Sequence, residues 1–141
     1  MDRHAWIDER LAEVPLFSKL SKKQLREVSS LATRLDFPAG KELTHQGGIG
    51  NEFIIVLEGE VEVQIDGEVI ATRGPGEYFG EIALLEDRPR TATVVAKTAV
   101  ACEVIGRREF ATLVNDVPEI TQQLQATMAE RLQEDEDFKK K

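Results

Sequence analysis

The chain has 141 residues and a net charge of −8. This length suits one domain with its own hydrophobic core, and the negative charge argues against direct nucleic acid binding, because DNA and RNA attract basic surfaces. No apolar run is long enough to span a membrane, and the first residues do not have the pattern of a signal peptide. The single Cys102 cannot form an internal disulfide, so we expect a cytoplasmic protein that does not bind membranes.

Two helices are predicted within residues 1–32. The first covers Asp2 to Glu13 and ends before Pro15, because proline does not continue a helix. The second covers Ser21 to Ala32; it begins with a capping box to Gln24 and continues with apolar residues at helical spacing. We assign residues 1–32 to an N-terminal helical segment.

Residues 33–106 have the pattern of short strands separated by turns. The predicted strands are Arg34–Phe37, Lys41–Thr44, Glu52–Leu57, Val61–Ile65, Glu68–Thr72, Thr91–Ala96 and Val100–Ile105. Many short strands with glycine-containing turns, such as the hairpin signal Asp66-Gly67, predict an antiparallel β jelly-roll barrel. The predicted fold class is therefore α+β and mainly β, with helices before and after the barrel.

The glycine-rich segment Gln46–Asn51 lies between two of these strands. A phosphate-binding loop is one interpretation, but the segment lacks the Lys-Ser/Thr ending and the following helix that a P-loop needs. We therefore interpret it as a plain turn.

The segment with the most distinctive chemistry begins at Gly80, which has no Cβ and lets a ligand approach its backbone. The amides of Ile82, Ala83 and Leu84 belong to a helical first turn without intrahelical acceptors. Such free amides attract phosphate. Arg90 can clamp the same phosphate through two hydrogen bonds.

Glu81 is a carboxylate next to this predicted anion site. Its position makes sense if it accepts hydrogen bonds from sugar hydroxyls and does not contact the phosphate. A phosphate and a ribose together indicate a nucleotide. The alternative interpretation is a surface loop in which Glu81 pairs with Arg90 and no ligand binds.

The runs Gly80–Leu85 and Pro89–Val94 resemble the phosphate-binding cassette, residues 80–93 here, of the cyclic nucleotide-binding domain family. That family includes the catabolite activator protein and the regulatory subunits of cyclic-nucleotide-dependent kinases. The resemblance extends from about Leu16 to Leu132 and implies a single cyclic nucleotide-binding domain. The chain departs from the family at residues 46–51, where the family often has Asp. The resemblance implies that Glu81 receives the ribose 2′-hydroxyl, that Arg90 holds the cyclic phosphate, and that the amides of Ile82, Ala83 and Ala92 complete the phosphate cradle.

The choice of base depends on fewer residues. Thr91 can donate to a phosphate oxygen or reach the base edge; family members that prefer cyclic GMP often have Thr here, and bacterial cyclic AMP binders also tolerate it. We favour cyclic AMP and keep cyclic GMP as an alternative. Asp135 and Glu136 stand where the catabolite activator branch has hydroxyl residues, and Asp135 can accept from the adenine 6-amino group. Phe138 either stacks on the base or belongs to the tail.

Residues 107–141 are predicted to be helical again. Arg107 to Val114 forms one helix, and Pro118 suits the first turn of the next. The latter has an apolar stripe of Ile120, Leu124, Met128 and Leu132. The stripe either packs on the barrel, which we favour, or forms a homodimer seam along the helix at 118–133, as the resemblance to the catabolite activator branch implies. Both hold if different parts of the stripe face different partners. The tail from Glu134 is expected to be solvated and partly frayed.

Three classes of function are compatible with this organisation. The first is a non-catalytic sensor that binds a cyclic nucleotide and passes its ligand state through the flanking helices to an unknown effector. The second is the ligand-binding part of a catabolite activator-type transcription regulator that lacks its DNA-binding domain here. The third, an enzyme such as a metal-dependent cupin, needs clustered His and carboxylate ligands. Because His4 and His45 lie in separate segments, we expect no metal, no cofactor and no enzymatic activity.

Overall fold

The structure is a computed structural model, and it describes residues 11–140. The helix predicted over Asp2 to Glu13 therefore lies outside the described residues apart from its end near Leu11. His4 is outside them as well. The described chain begins with buried Leu11 and Val14, followed by a short 3₁₀ turn at Pro15–Phe17.

The first complete helix, α1, spans Lys22–Leu31. Its predicted capping box is confirmed: the Ser21 hydroxyl accepts from the Gln24 amide at 3.1 Å, and the Gln24 side-chain oxygen accepts from the Ser21 amide at 2.9 Å. The helix ends at Leu31 because Ala32 is already extended and begins the first strand.

Within residues 11–140, eight antiparallel strands follow, and they form two four-stranded sheets. They are β1 Ala32–Phe37, β2 Glu42–Thr44, β3 Glu52–Glu58, β4 Val61–Ile65, β5 Glu68–Arg73, β6 Tyr78–Phe79, β7 Thr93–Ala96 and β8 Val100–Gly106. The sheet orders are β1-β8-β3-β6 and β2-β7-β4-β5. The predicted mainly-β fold of jelly-roll type with helices at both ends is confirmed, with two separate sheets in place of a closed barrel.

Strand β3 is buried on both faces and divides the core in two. Phe53, Ile55 and Leu57 pack against the helices, whereas Ile54 and Val56 face the second sheet. Successive side chains of a strand point to opposite faces, so a strand between two apolar layers needs a continuous apolar run. The residues of β3 satisfy that requirement.

Three further helices complete the fold: α2 at Glu81–Leu85, α3 at Arg107–Asp116 and α4 at Glu119–Lys139. Tyr78–Phe79 forms β6, paired with Ile54–Ile55 of β3, a strand that was not among those predicted from the sequence. The tail from Glu134 continues α4 as far as Lys139, so the expected fraying is wrong. The expected solvation holds, because most side chains of this tail are exposed.

Helix α4 carries the predicted apolar stripe, and its residues differ in burial. Ile120 and Leu124 are fully buried in the core with α1 and α3, whereas Met128 and Leu132 are half-buried. The favoured interpretation, packing on the β-sheets, therefore holds for the first half of the stripe. No helix within residues 11–140 is long and apolar enough to cross a membrane.

Candidate functional site

A cleft lies between the second sheet, the cassette and α4, with about 580 Å³ of space free of protein atoms, including its open mouth. Eight of the predicted site residues line this cleft: Gly80, Glu81, Ile82, Ala83, Arg90, Thr91, Ala92 and Asp135. The fold thus brings together residues that are more than fifty positions apart in the chain.

Gly80 is required where α2 begins. Its φ is 98°, in the left-handed region, which favours glycine. A Cβ at this position would collide with the Glu52 carbonyl oxygen and would lie 2.5 Å from Arg90 Nη1. From the sequence we expected a ligand to approach this glycine, whereas in the structure Arg90 and Glu52 border it closely.

The short helix α2 supplies fewer free amides than the sequence suggested. The Leu84 amide donates to the Gly80 carbonyl at 3.3 Å, so it is not free to bind an anion. The amides of Ile82 and Ala83 belong to the first turn, which has no preceding turn to accept from them. Both residues are buried against the cleft.

Arg90 is 9% exposed, and its neighbours fix its position. Its Nη2 donates to the Glu52 carbonyl at 2.9 Å. Its main chain forms two hydrogen bonds with the glycine-rich loop, from the Gly47 amide at 2.8 Å and to the Gly48 carbonyl at 2.9 Å. The loop that we interpreted as a plain turn is therefore the frame that holds this arginine.

The Arg90 guanidinium keeps an open hydrogen-bonding position. Its Nη1 has no hydrogen-bond partner among the described residues. Burial lowers the pKa of Arg90, while Glu52 and Glu81 act in the opposite direction. Because a guanidinium stays protonated in proteins, the cleft contains a buried positive charge that can still bind an anion.

Glu81 is 1% exposed and has one occupied and one open oxygen. Its Oε1 accepts from Arg131 Nη1 at 2.5 Å. Its Oε2 has no partner among the described residues. The alternative of an exposed Glu81–Arg90 ion pair is therefore wrong, since both residues are buried and Arg131 is the residue that pairs with Glu81.

Arg131 is a site residue that the sequence analysis missed. It comes from α4, and its guanidinium lies 5.1 Å from the centre of the Tyr78 ring and 5.7 Å from that of Phe79. Helical periodicity contained the signal: Ile120, Leu124, Thr127 and Arg131 share one face of a helix with 3.6 residues per turn. The predicted stripe used a strict four-residue spacing, which gradually leaves that face of the helix. The stripe therefore included Leu132 and not Arg131.

Two more contacts hold α4 over the cleft. The Tyr78 hydroxyl donates to the Thr127 hydroxyl at 2.7 Å. Arg73, at the end of β5, forms an ion pair with Glu134 at 3.5 Å. The second half of α4 therefore contacts the sheets through polar groups.

The residues considered for base recognition separate in the structure. Asp135 lines the cleft, and burial raises its pKa above the ordinary value. Glu136 is exposed and borders only a neighbouring cavity, which Thr91 also lines. Phe138 is half-buried outside the cleft residues. Asp135 and Thr91 are thus the polar candidates next to a base.

Other reactive groups lie elsewhere. Burial raises the pKa of the Cys102 thiol to about 12, so this core residue is an inert packing group. Within residues 11–140, no three His, Cys, Asp or Glu side chains converge in a way that could hold a metal ion.

Comparisons with known proteins give this geometry a context. Residues 34–116, more than half of the chain, match the family described as the cyclic nucleotide-binding domain. The cAMP-dependent protein kinase regulatory subunit of Emericella nidulans is 38% identical over 112 residues, which cover 78% of this chain and 27% of that protein. The chain thus spans about a quarter of the length of this curated relative.

Two solved structures are similar to the whole fold. The regulatory domain of Toxoplasma gondii PKA with cAMP is 25% identical with a TM-score of 0.81, covering 91% of this chain and 50% of that one. The regulatory subunit of a cAMP-independent protein kinase A from Trypanosoma cruzi, bound to guanosine, is 27% identical with a TM-score of 0.76, covering 85% and 45%. Since similar folds hold different ligands, the ligand has to be inferred from the cleft residues.

Proposed function

The chain belongs to the cyclic nucleotide-binding domain family, and from this premise we propose that it binds cyclic AMP in the cleft between the cassette and α4. One observation carries the proposal: two buried charged groups, Arg90 and Glu81, each keep one polar atom without a partner among the described residues. An unsatisfied buried polar atom is costly. A ligand with a phosphate and a hydroxyl would satisfy both atoms.

Each site residue has a proposed role. Arg90 Nη1 donates to the cyclic phosphate, and the amides of Ile82, Ala83 and Ala92 complete its cradle. Glu81 Oε2 accepts from the ribose 2′-hydroxyl, while Oε1 stays with Arg131. Thr91 and Asp135 lie at the base. An ionised Asp135 accepts from the 6-amino group of adenine, whereas guanine has a carbonyl oxygen there and would be repelled.

The protein would act as a sensor and not as an enzyme. Glu81 joins the ribose to Arg131, so ligand binding and the position of α4 are linked through one carboxylate. The ligand can shift the equilibrium between two positions of α4 only by as much as its affinities for those two positions differ. The names of the kinase regulatory relatives make a protein kinase the first class of effector to test. A homodimer through the 118–133 helix, using half-buried Met128 and Leu132, stays a separate proposal.

The test is calorimetric titration of the purified protein with cyclic AMP, cyclic GMP and guanosine. The proposal predicts one cyclic AMP per chain, weaker binding of cyclic GMP, and little binding of guanosine because it lacks the phosphate that Arg90 needs. Guanosine binding as tightly as cyclic AMP would contradict the role of Arg90. No binding of either cyclic nucleotide would contradict the proposed function.

A further inference from the structure

Arg107 lies outside the cleft, and its side chain forms hydrogen bonds to two segments that surround Arg90. It is the first residue of α3. Its guanidinium donates to the Gly50 carbonyl at 2.5 Å, to the Asn51 side-chain oxygen at 3.5 Å and to Asp87 at 3.4 Å. Gly50 and Asn51 belong to the glycine-rich loop, and Asp87 belongs to the cassette. One side chain therefore ties together the two segments that surround Arg90.

Gly50 transmits this restraint to Arg90 directly. A Cβ on Gly50 would lie 3.1 Å from Arg90 Nε and 3.3 Å from its Cδ, and would collide with the Ala83 side chain. The backbone of Gly50 is thus packed against the stem of the guanidinium. Because the carbonyl of the same residue accepts from Arg107, a displacement of that carbonyl would move the surface on which Arg90 rests.

No carboxylate of the glycine-rich loop takes over this restraint. Position 51 is Asn, and the Glu52 side chain is exposed, so this residue contacts Arg90 through its carbonyl oxygen. The charge of Arg107 also lowers the pKa of Arg90, which indicates that the two guanidinium groups are close. Two neighbouring like charges repel each other, so their arrangement depends on the hydrogen bonds to the loop.

We infer that Arg107 is a positioning residue for nucleotide binding: it anchors the Gly50–Asn51 segment to Asp87 and so fixes the guanidinium of Arg90 at the phosphate position. This inference rests on the proposed function. Arg107 itself does not contact the ligand, so its effect must pass through Arg90.

The primary experiment is titration of Arg107→Ala with cyclic AMP, compared with Arg108→Ala. Arg108 is the exposed neighbour on α3, and its loss changes the net charge equally. Loss of hydrogen bonds from a charged group predicts roughly 10- to 100-fold weaker binding for Arg107→Ala. Arg108→Ala should bind like the wild type, and equal losses in both variants would reduce the effect to net charge and overturn the inference.

Two further variants distinguish an effect of Arg107 on the position of Arg90 from an effect of its positive charge alone. Arg107→Lys keeps the charge but cannot form the same fork of hydrogen bonds, so it should recover only part of the lost affinity; full recovery would overturn positioning. In an Arg90→Ala background, Arg107→Ala should weaken the residual binding by less than about threefold, because the group that it positions is absent. An undiminished effect in that background would also overturn the inference.

A ligand-free readout keeps this inference separate from the proposed function. The ¹H–¹⁵N NMR signal of Arg90 Nε should shift or broaden in Arg107→Ala and stay unchanged in Arg108→Ala. An unchanged Arg90 signal in both variants would overturn the positioning role whether or not cyclic AMP binds. If the wild type binds no cyclic AMP but the Arg90 signal still responds to Arg107→Ala, the proposed function fails and the positioning of Arg90 stands.

Discussion

The core under the helices and the cleft both contain buried side chains, but those of the core are apolar, whereas two of those in the cleft are charged. In the core, Phe110 packs against Phe53 with ring centres 5.0 Å apart, and its neighbours are apolar. In the cleft, Glu81 and Arg90 are only 1% and 9% exposed, yet each has an atom with no partner among the described residues. The apolar core side chains pack against one another, whereas each of these two cleft residues keeps one polar atom that a ligand would satisfy under the proposed function. Core substitutions should therefore lower stability, and cleft substitutions should lower affinity.

Phe110→Ala should give the largest effect and should act on stability. Phe110 is 3% exposed, and truncation of a buried phenylalanine costs about 3–5 kcal/mol of unfolding free energy. Chemical denaturation measures this loss, with Phe110→Leu as the milder variant that keeps most of the volume. A loss of less than about 1 kcal/mol for Phe110→Ala would mean that this part of the core is not tightly packed.

Arg90→Ala should act on affinity in place of stability. Removal of one partner of a buried charge pair costs about 2–5 kcal/mol of binding, which calorimetry with cyclic AMP can measure. Arg88→Ala is the matched control, because Arg88 is exposed in the same loop and carries the same charge. Unchanged affinity in Arg90→Ala would remove this residue from the phosphate.

Glu81→Gln should distinguish the ribose from the rest of the ligand. The change weakens a charge-assisted hydrogen bond, so we expect a loss of about 1–3 kcal/mol with cyclic AMP. A 2′-deoxy analogue should lose much less, because it lacks the hydroxyl that Glu81 would accept from. Glu86→Gln, at an exposed position after α2, is the control for charge. Equal losses for both ligands would exclude Glu81 from the ribose.

Glu134→Gln should give the smallest effect, and it sharpens the difference between buried and exposed charges. The Arg73 and Glu134 side chains are 27% and 59% exposed. Exposed pairs contribute about 0–1 kcal/mol and are screened by salt. Cyclic AMP affinity should therefore change slightly at low salt and not at high salt. A loss as large as that of Glu81→Gln would mean that this pair controls α4.

The sequence was sufficient for the parts of the molecule whose signals are local. The capping box at Ser21, the alternating strands and the cassette are all readable from short segments, and the predicted fold class is confirmed. Strand β6 was missed because Tyr78–Phe79 has two residues and forms only through its pairing with β3. Two residues are too few to show the alternation that predicts a strand, so β6 could be recognised only from its pairing in the fold.

The cleft was predictable where its residues are contiguous and not where they come from distant elements. The cassette residues were found from one segment, but Arg131 pairs with Glu81 across fifty positions of the chain. The role of the glycine-rich loop was missed for the same reason, since its partner is the backbone of Arg90. Composition indicated a turn, and only the fold reveals which side chain that turn supports.

Thermal unfolding of the wild type and Arg90→Ala, each with and without cyclic AMP, tests the central claim most directly. A ligand that binds only the folded state raises its stability, so cyclic AMP should raise the melting temperature of the wild type and leave that of Arg90→Ala nearly unchanged. Without ligand, Arg90→Ala should be no less stable than the wild type, because it removes a buried charge whose bonding is incomplete. If the variant is destabilised without ligand as strongly as Phe110→Ala, and cyclic AMP shifts both proteins equally, the claim that the cleft charges serve the ligand is contradicted.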